Sequence, residues 1–241
     1  MISIKTLTCS YDKKIILKDI NLILDSHISI LGANGSGKST LAKTICKLIE
    51  FDGEILLDKK NTKNIDNITM AKNICYIPAK LEIYDSFISV EEFVLQGRFP
   101  YKKGFFDYSQ NDKSITKQTL EFLKILHLKD HTVSSLSSGE QQLTLIAQAL
   151  TQQSKIIIFD EPTANLDPHN SKIIAQHIKC LKDYHQIILI THDLNLASFI
   201  GSDVVFIQDT KATLYKDNFF TNENLQKLYG VEFEALAVKY A

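Results

Sequence analysis

The feature that most constrains this chain is a glycine-rich turn, LGANGSGKST, at residues 31–40. It contains Gly32, four further residues, and then Gly37, Lys38 and Ser39 in succession. Glycines let a backbone pass close to a phosphate with its amides pointing inward, the lysine neutralises β- and γ-phosphate oxygens, and the serine hydroxyl can hold Mg²⁺. The apolar stretch HISIL (27–31) before the turn predicts a strand, and a helical pattern follows from residue 38. This order of strand, turn and helix predicts an α/β fold with a phosphate-binding site.

The candidate phosphate-binding residues all lie within this turn. They are Gly32, Asn34, Gly35, Ser36, Gly37, Lys38, Ser39 and Thr40. Among them Lys38 is also a candidate catalytic residue, because it would stabilise charge on the phosphates, and Ser39 is a candidate Mg²⁺ ligand.

A second element with matching chemistry is KIIIFDEP, at residues 155–162. Its near-continuous apolar run is typical of a strand buried on both faces of a parallel sheet. Asp160 stands where the carboxyl end of such a strand meets a nucleotide crevice, and it can hold Mg²⁺ through water. Glu161 can orient and polarise an attacking water. The two elements alone are compatible with a nucleotide kinase or a GTPase, but the sequence has no Asn-Lys-x-Asp segment of the kind that reads a guanine base.

The remaining pattern predicts one α/β core interrupted by a helical lobe. The core covers about residues 1–80 and 153–241, and the lobe about residues 81–152. Predicted strands are 2–8 and 15–24, which form an antiparallel sheet, and 27–31, 54–57, 74–77, 155–162, 186–191 and 203–208. Predicted helices are 38–49, 90–97, 112–127, 139–152, 168–182 and 193–200, before a small C-terminal hairpin and helix.

The stretch SSLSSGEQQL (134–143) predicts a helix start suited to an anion. Ser137 can act as the N-cap, Glu140 three residues later completes a capping box, and apolar residues follow at helical spacing from Leu143 to Leu150. Amides at a helix start favour negative charge. The stretch nevertheless has no lysine and no metal ligand of its own, so these residues leave open which anion binds there and what carries it.

Several motifs in one order resemble those of the ABC-transporter ATPases. LSSGEQQ (136–142) resembles the family's LSGGQ signature, ANLD (164–167) resembles its D-loop, and THD (191–193) places His192 as the switch histidine. Tyr11 fits the aromatic residue that stacks on adenine. The resemblance implies a RecA-like P-loop NTPase core with a small antiparallel β subdomain and an inserted helical lobe. It also implies ATP and Mg²⁺ as cofactors.

The resemblance further implies that two ATPase subunits, expected to be identical copies, meet head to tail. In this family the helix start at Ser137 and Gly139 of one chain caps the γ-phosphate held by the phosphate-binding turn of the other. Glu161 would then be the catalytic carboxylate, and His192 would hydrogen-bond the γ-phosphate or the attacking water. Catalysis of this kind is mostly positioning and charge stabilisation.

The segment VLQGRFPY (94–101) resembles importer ATPases for iron–siderophore, haem and vitamin B12 complexes, in which the helical lobe meets the coupling helix of a polytopic membrane permease. The ATPases of zinc and manganese importers have a similar sequence in this segment. The alternative without a functional role is an ordinary amphipathic helix with an exposed Gly-Arg pair. We therefore expect an ATPase that powers an importer for an iron chelate or similar cofactor. A soluble ABC ATPase of repair, translation or cluster assembly and a nonhydrolytic nucleotide-binding regulator remain open.

The amino-acid composition limits the classes of partner and of metal site that we expect for this chain. The chain has 241 residues, 44% of them hydrophobic, and a formal net charge of −1 with no block of lysine or arginine, so we expect no nucleic-acid partner. Its four cysteines are scattered singly, which argues against a zinc or redox site. No secretion signal or membrane span is visible in the sequence. We expect a peripheral subunit on the cytoplasmic side of the inner or cell membrane.

Three positions depart from the family pattern, and one of them is Glu140, which stands at the final glutamine of the signature and suits the capping box. Ala79, in YIPAK, stands where the family has a glutamine that contacts Mg²⁺ and water, and Ser138 replaces the first glycine of the signature. Removing one transition-state donor commonly lowers a rate by about 10²–10³. We therefore expect slow turnover or compensation at position 79, weakened dimer closure at Ser138, and Gly139 as the closest backbone approach to the phosphate.

Overall fold

The computed structural model describes residues 1–11, 14–82, 85–102, 104, 107–216, 219–230 and 240. The chain divides into two compact units, residues 1–65 with 186–241, and residues 66–185. The predicted helical lobe lies inside the second unit, and its bounds stay a prediction.

The strands in chain order are β1 (Ile2–Tyr11), β2 (Lys14–Leu24), β3 (Ile28–Gly32), β4 (Asp52–Leu57), β5 (Lys60–Asn61), β6 (Ile74–Ile77), β7 (Ile156–Asp160), β8 (Gln186–Ile190), β9 (Asp203–Gln208) and β10 (Lys211–Tyr215). The helices are α1 (Lys38–Ile45), α2 (Asn67–Asn73), α3 (Val90–Leu95), α4 (Gln110–Phe122), α5 (Ser138–Thr151), α6 (Pro168–Leu181), α7 (Leu194–Ile200) and α8 (Asn222–Tyr229).

The first unit contains two groups of paired strands. An antiparallel sheet has the order β2-β1-β4-β5, which confirms the sheet predicted from the alternation in residues 2–8 and 15–24. In the other group, β3 is parallel to both β8 and β9, and β9 forms an antiparallel hairpin with β10. Every residue of β3 is buried, because both faces of this central strand are covered. The carboxyl ends of β3 and β8 therefore lie side by side.

The predicted C-terminal hairpin and helix are confirmed in this unit as β10 and α8. They extend an apolar cluster on β9 and α7, to which α8 contributes Leu225. The buried members of the cluster are Leu31, Leu194, Ala197, Val204, Phe206, Phe219 and Leu225.

The second unit contains a parallel strand pair and most of the long helices. Strand β6 pairs with β7, with Ile77 opposite Phe159, and every residue of β7 is buried as its apolar run predicts. Helices α3 and α4 pack against α5. The predicted helix 90–97 is wrong at its end, since α3 stops at Leu95 and a 3-10 helix, Gln96–Tyr101, follows.

The alternative interpretation of this segment, an ordinary helix with Gly97 and Arg98 as an exposed Gly-Arg pair, is contradicted. Both residues are buried. A side chain on Gly97 would lie 2.1 Å from the carbonyl oxygen of Gln148, so α5 passes directly over this glycine. Among the described residues, no helix is both long enough and apolar enough to cross a membrane.

Candidate nucleotide-binding site

Residues 32–40, here called the phosphate loop, connect β3 to α1 through backbone that only glycine adopts easily. Gly32 has φ of 146° and Gly37, the N-cap of α1, has φ of 106°. A Cβ on Gly32 would lie 2.4 Å from the carbonyl oxygen of Ile207 on β9. Because Gly37 brings no side chain to the helix start, the positive end of α1 faces the loop directly, an arrangement that favours a phosphate.

Lys38 and Ser36 supply the polar interior of the phosphate loop. The Lys38 side chain is buried, and its Nζ donates hydrogen bonds to the carbonyl oxygens of Gly32 at 2.9 Å and Ala33 at 3.0 Å. The Ser36 Oγ is buried without a hydrogen-bond partner among the described residues. A buried hydroxyl left in this way costs about 1–3 kcal/mol, so the loop interior fits a ligand with oxygen acceptors such as a phosphate.

His192 follows β8 at the same sheet edge as the phosphate loop. Ile30 of β3 pairs with Ile190 of β8, and the Thr191 amide donates to the Ile30 carbonyl oxygen at 3.3 Å. The next residue, His192, is exposed. Asp193 then caps α7, its Oδ1 accepting from the amides of Asn195 and Leu196, which fixes the turn that holds the histidine.

Tyr240 reinforces this turn from the C-terminal region. Its hydroxyl donates to Oδ2 of Asp193 at 2.5 Å, and its ring packs against Phe199 at 5.5 Å between centroids. Burial, followed by the hydrogen bond and the negative charge of Asp193, raises the pKa of the Tyr240 phenol. The structure thereby adds a residue near the switch position that no motif in the sequence indicates.

The two carboxylates of the second unit end β7. Asp160 is 4% exposed, and its Oδ2 accepts a hydrogen bond from the Tyr76 hydroxyl at 2.5 Å. Glu161 is half-buried, with a positive φ of 49°, and its carbonyl oxygen accepts from the Ala164 amide at 3.0 Å. The chain therefore turns immediately after the strand and presents both acidic groups at its carboxyl end, as the sequence predicts.

Ala79 stands at the carboxyl end of the neighbouring strand β6. It lies two residues beyond Ile77, just as Glu161 lies two residues beyond Phe159, the partner of Ile77. Ala79 is exposed, and its methyl group can neither donate nor accept a hydrogen bond. The family's glutamine contacts would have to come from other groups here.

The predicted capping box at the start of α5 is confirmed. The Ser137 side chain caps the Glu140 amide, and Oε2 of Glu140 accepts from the Ser137 amide at 2.9 Å and from its hydroxyl at 2.6 Å. These bonds from Ser137, the hydroxyl first, hold the pKa of Glu140 below its usual value. Ser137 and Ser138 are both exposed, so this helix start presents hydroxyls and amides at the surface.

Gly139 is buried against α6 of its own chain. A Cβ at this position would lie 2.6–2.9 Å from three side-chain atoms of Asn170. Asn170 in turn donates through Nδ2 to Oδ2 of Asp167, the last residue of ANLD, at 2.5 Å. A larger residue here would have to displace the Asn170 side chain. The predicted approach of Gly139 to a phosphate stays a prediction.

The structure places the predicted residues in three local arrangements. The phosphate loop and His192 share a sheet edge in the first unit, Asp160 and Glu161 end β7 in the second, and Ser137 with Gly139 begins α5. The side chain of Tyr11 lies outside the described residues. Within the described residues, no group of three or more His, Cys, Asp or Glu side chains could hold a metal ion alone. The Asp160 carboxylate and the Ser39 hydroxyl are oxygen donors of the kind that Mg²⁺ binds.

Comparisons with known proteins identify the family of this chain. The family model described as ABC transporter matches residues 17–164. An uncharacterised ABC transporter ATP-binding protein of Methanocaldococcus jannaschii is 34% identical over 243 residues, covering 96% of this chain and 92% of its own length. A Helicobacter pylori protein described as a probable iron chelatin transport ATP-binding protein is 32% identical, covering 98% of this chain and 95% of its own. A solved structure of a dimeric bacterial ABC transporter cassette has a TM-score of 0.77 and 27% identity, covering 90% of this chain and 98% of that one.

Proposed function

The chain belongs to the ABC transporter family as an ATPase subunit, and we propose that it powers a membrane importer for an iron chelate such as a siderophore or haem complex. The family's fold, a P-loop NTPase cassette, confirms the fold class expected from the sequence. ATP is its nucleotide. The cargo and the residue roles below belong to the proposal.

The observation that most supports the cargo is the Helicobacter pylori relative, described as an iron chelatin transport protein, which aligns with 98% of this chain. An alignment of that extent includes the helical segment 94–101, whose sequence resembles importers of metal chelates. Other subunits of an importer recognise the cargo. The ATPase sequence therefore indicates the cargo only indirectly, through the type of permease that its helical segment matches.

In the proposed mechanism the phosphate loop binds the triphosphate through its amides, and Lys38 neutralises the β- and γ-phosphates. Ser39 and Asp160 would hold Mg²⁺. When bound, Mg²⁺ supplies further charge neutralisation on the same phosphates. Glu161 orients the attacking water and accepts its proton, and His192 hydrogen-bonds the γ-phosphate or that water.

We propose that a second copy completes the site. Ser137 and Gly139 of that copy would cap the γ-phosphate with the start of α5, whose amides favour an anion. The dimeric arrangement of the solved cassette supports this pairing. With the pair of ATPase subunits on the cytoplasmic face of the membrane, a polytopic permease would transmit closure of the pair to the cargo path.

Copurification and transport test the proposal together. A tagged chain expressed in its host should copurify with a polytopic membrane protein, and the reconstituted complex should take up an iron chelate with ATP. Uptake should disappear with Lys38→Ala and with Glu161→Gln. Transport of zinc or manganese ions in place of the chelate, or recovery of DNA-repair or cluster-assembly proteins without a membrane chain, would reject the proposed cargo.

A further inference from the structure

The Tyr76 hydroxyl donates a hydrogen bond to Asp160 across two neighbouring strands. Strands β6 and β7 are parallel, and Tyr76 pairs with Ile158. Side chains alternate between faces along a strand, so Asp160, two residues beyond Ile158, lies on the same face as Tyr76. The tyrosine ring extends along this face toward the carboxyl end of the sheet, and its hydroxyl reaches Oδ2 of Asp160 at 2.5 Å.

We propose that Tyr76 is the positioning residue for Asp160, fixing the orientation in which that carboxylate holds the Mg²⁺ of the nucleotide. This inference rests on the proposed function, in which Asp160 holds the metal. Asp160 is 4% exposed, so its charge depends on hydrogen bonds from the protein. The phenol donates to one carboxylate oxygen, which stops rotation of the group and supports its negative charge.

The expected effect concerns the metal rather than the nucleotide. Carboxylates that hold metals are themselves hydrogen-bonded, and loss of such a partner typically costs about 10–100-fold in metal affinity or activity. Tyr76→Phe removes the hydroxyl and keeps the aromatic ring. It should raise the Mg²⁺ concentration for half-maximal ATPase activity by about 10-fold or more, with the rate recovering at saturating Mg²⁺.

The experiment uses the whole chain and two readouts. The first is ATPase rate against Mg²⁺ concentration. The second is binding of a fluorescent ADP analogue over the same Mg²⁺ range and in EDTA, which needs no turnover; the chain contains no tryptophan to interfere with the signal. Tyr101→Phe is the matched control, since its hydroxyl donates to the Gln152 carbonyl oxygen at 3.2 Å elsewhere in the same unit.

The inference predicts that Tyr76→Phe shifts the Mg²⁺ dependence of both readouts, leaves binding in EDTA unchanged, and differs from Tyr101→Phe, which shows no shift. Tyr76→Met, which also lacks a donor, should shift the dependence in the same direction and serves if the phenylalanine variant folds poorly. Asp160→Asn distinguishes a failure of the inference about Tyr76 from a failure of the proposed function. If Asp160→Asn moves the Mg²⁺ dependence and both Tyr76 variants do not, the positioning role is overturned and the proposed function stands. If Asp160→Asn has no effect, the metal role of Asp160 fails and the inference fails with it.

Discussion

Replacing Arg98 by methionine should destabilise the chain far more than the loss of an ordinary surface charge. Arg98 is the only arginine among 27 lysine and arginine residues. Its Nε donates to Oδ1 of Asp112 at 2.8 Å, and its Nη1 donates to the Thr151 carbonyl oxygen and the Gln153 Oε1, each at 2.8 Å. The guanidinium lies 3.9 Å from the Tyr101 ring centroid. A planar fork with several donors makes this set of contacts, and a lysine cannot reproduce it.

The size of the effect follows from burial. The side chains of Arg98 and Asp112 are 4% and 8% exposed, so Arg98→Met would leave the Asp112 carboxylate buried without its counter-charge. Breaking a buried pair from one side costs about 3–5 kcal/mol. For a chain of this length that corresponds to a fall in melting temperature of roughly 6–20 °C.

Thermal and urea denaturation followed by circular dichroism measure this loss. Lys117→Met is the control, because Lys117 and Glu121 form an exposed pair at 3.9 Å on α4, and its loss should cost less than about 1 kcal/mol. Arg98→Lys should fall between the two. A loss for Arg98→Met no greater than for Lys117→Met would refute the reasoning.

The same pair predicts a pH dependence. Burial acts to raise the pKa of Asp112, but hydrogen bonds from Ser109 and Arg98 outweigh it and hold the pKa below 3.8. A carboxyl whose pKa is depressed on folding stabilises the protein above its unfolded pKa and loses that contribution as the pH falls through the folded value. Arg98→Met removes part of the depression. Its deficit should therefore be full at neutral pH and decline in acid, as the pH falls through the folded pKa that Asp112 has in the variant and the stranded carboxylate takes up a proton.

Three further substitutions test separate contacts. Gly97→Ala should cost about 1–3 kcal/mol in urea denaturation, because its Cβ would overlap the Gln148 carbonyl oxygen. Ala79→Gln should change the ATPase rate or the coupling of transport by more than a few-fold, and no change in either would mean that the position is already compensated. Tyr240→Phe should lower stability by about 1.5–3 kcal/mol at neutral pH through loss of its bond to Asp193. Since the phenol's pKa is raised on folding from 10.0, that difference should be constant below pH 10 and shrink above it.

Local patterns in the sequence were sufficient for most of the fold. Alternation predicts β1 and β2, apolar runs predict β3 and β7, and the Ser137 capping box predicts the start of α5. Helix α2 was missed, because Met70 is its only buried residue and leaves no apolar periodicity, although Asp66 caps it. Helices predicted to extend to 49 and 127 end at 45 and 122, since Lys47 and Lys124 adopt positive φ values of 58° and 59° without a glycine to indicate a stop.

Part of the candidate site could be predicted from the sequence and part could not. The phosphate loop and the two carboxylates could be predicted, because short motifs specify both the residue types and their chemistry. The contacts of Tyr76 with Asp160 and of Gly139 with Asn170 could not, since each joins distant parts of the chain through strand register or helix packing. The burial of Arg98 could not be predicted either, since its carboxylate partner and its two further acceptors lie at distant positions in the chain.

The mass of the Glu161→Gln variant in solution, with and without Mg-ATP, tests the central claim most directly. The substitution keeps the groups proposed to bind ATP and removes the charge of the carboxylate proposed to orient the water, so the bound state should persist. Light scattering should show a monomer of 27.3 kDa without nucleotide and twice that mass at saturating Mg-ATP. A mass that stays at 27.3 kDa with ATP bound would contradict a site completed by a second copy.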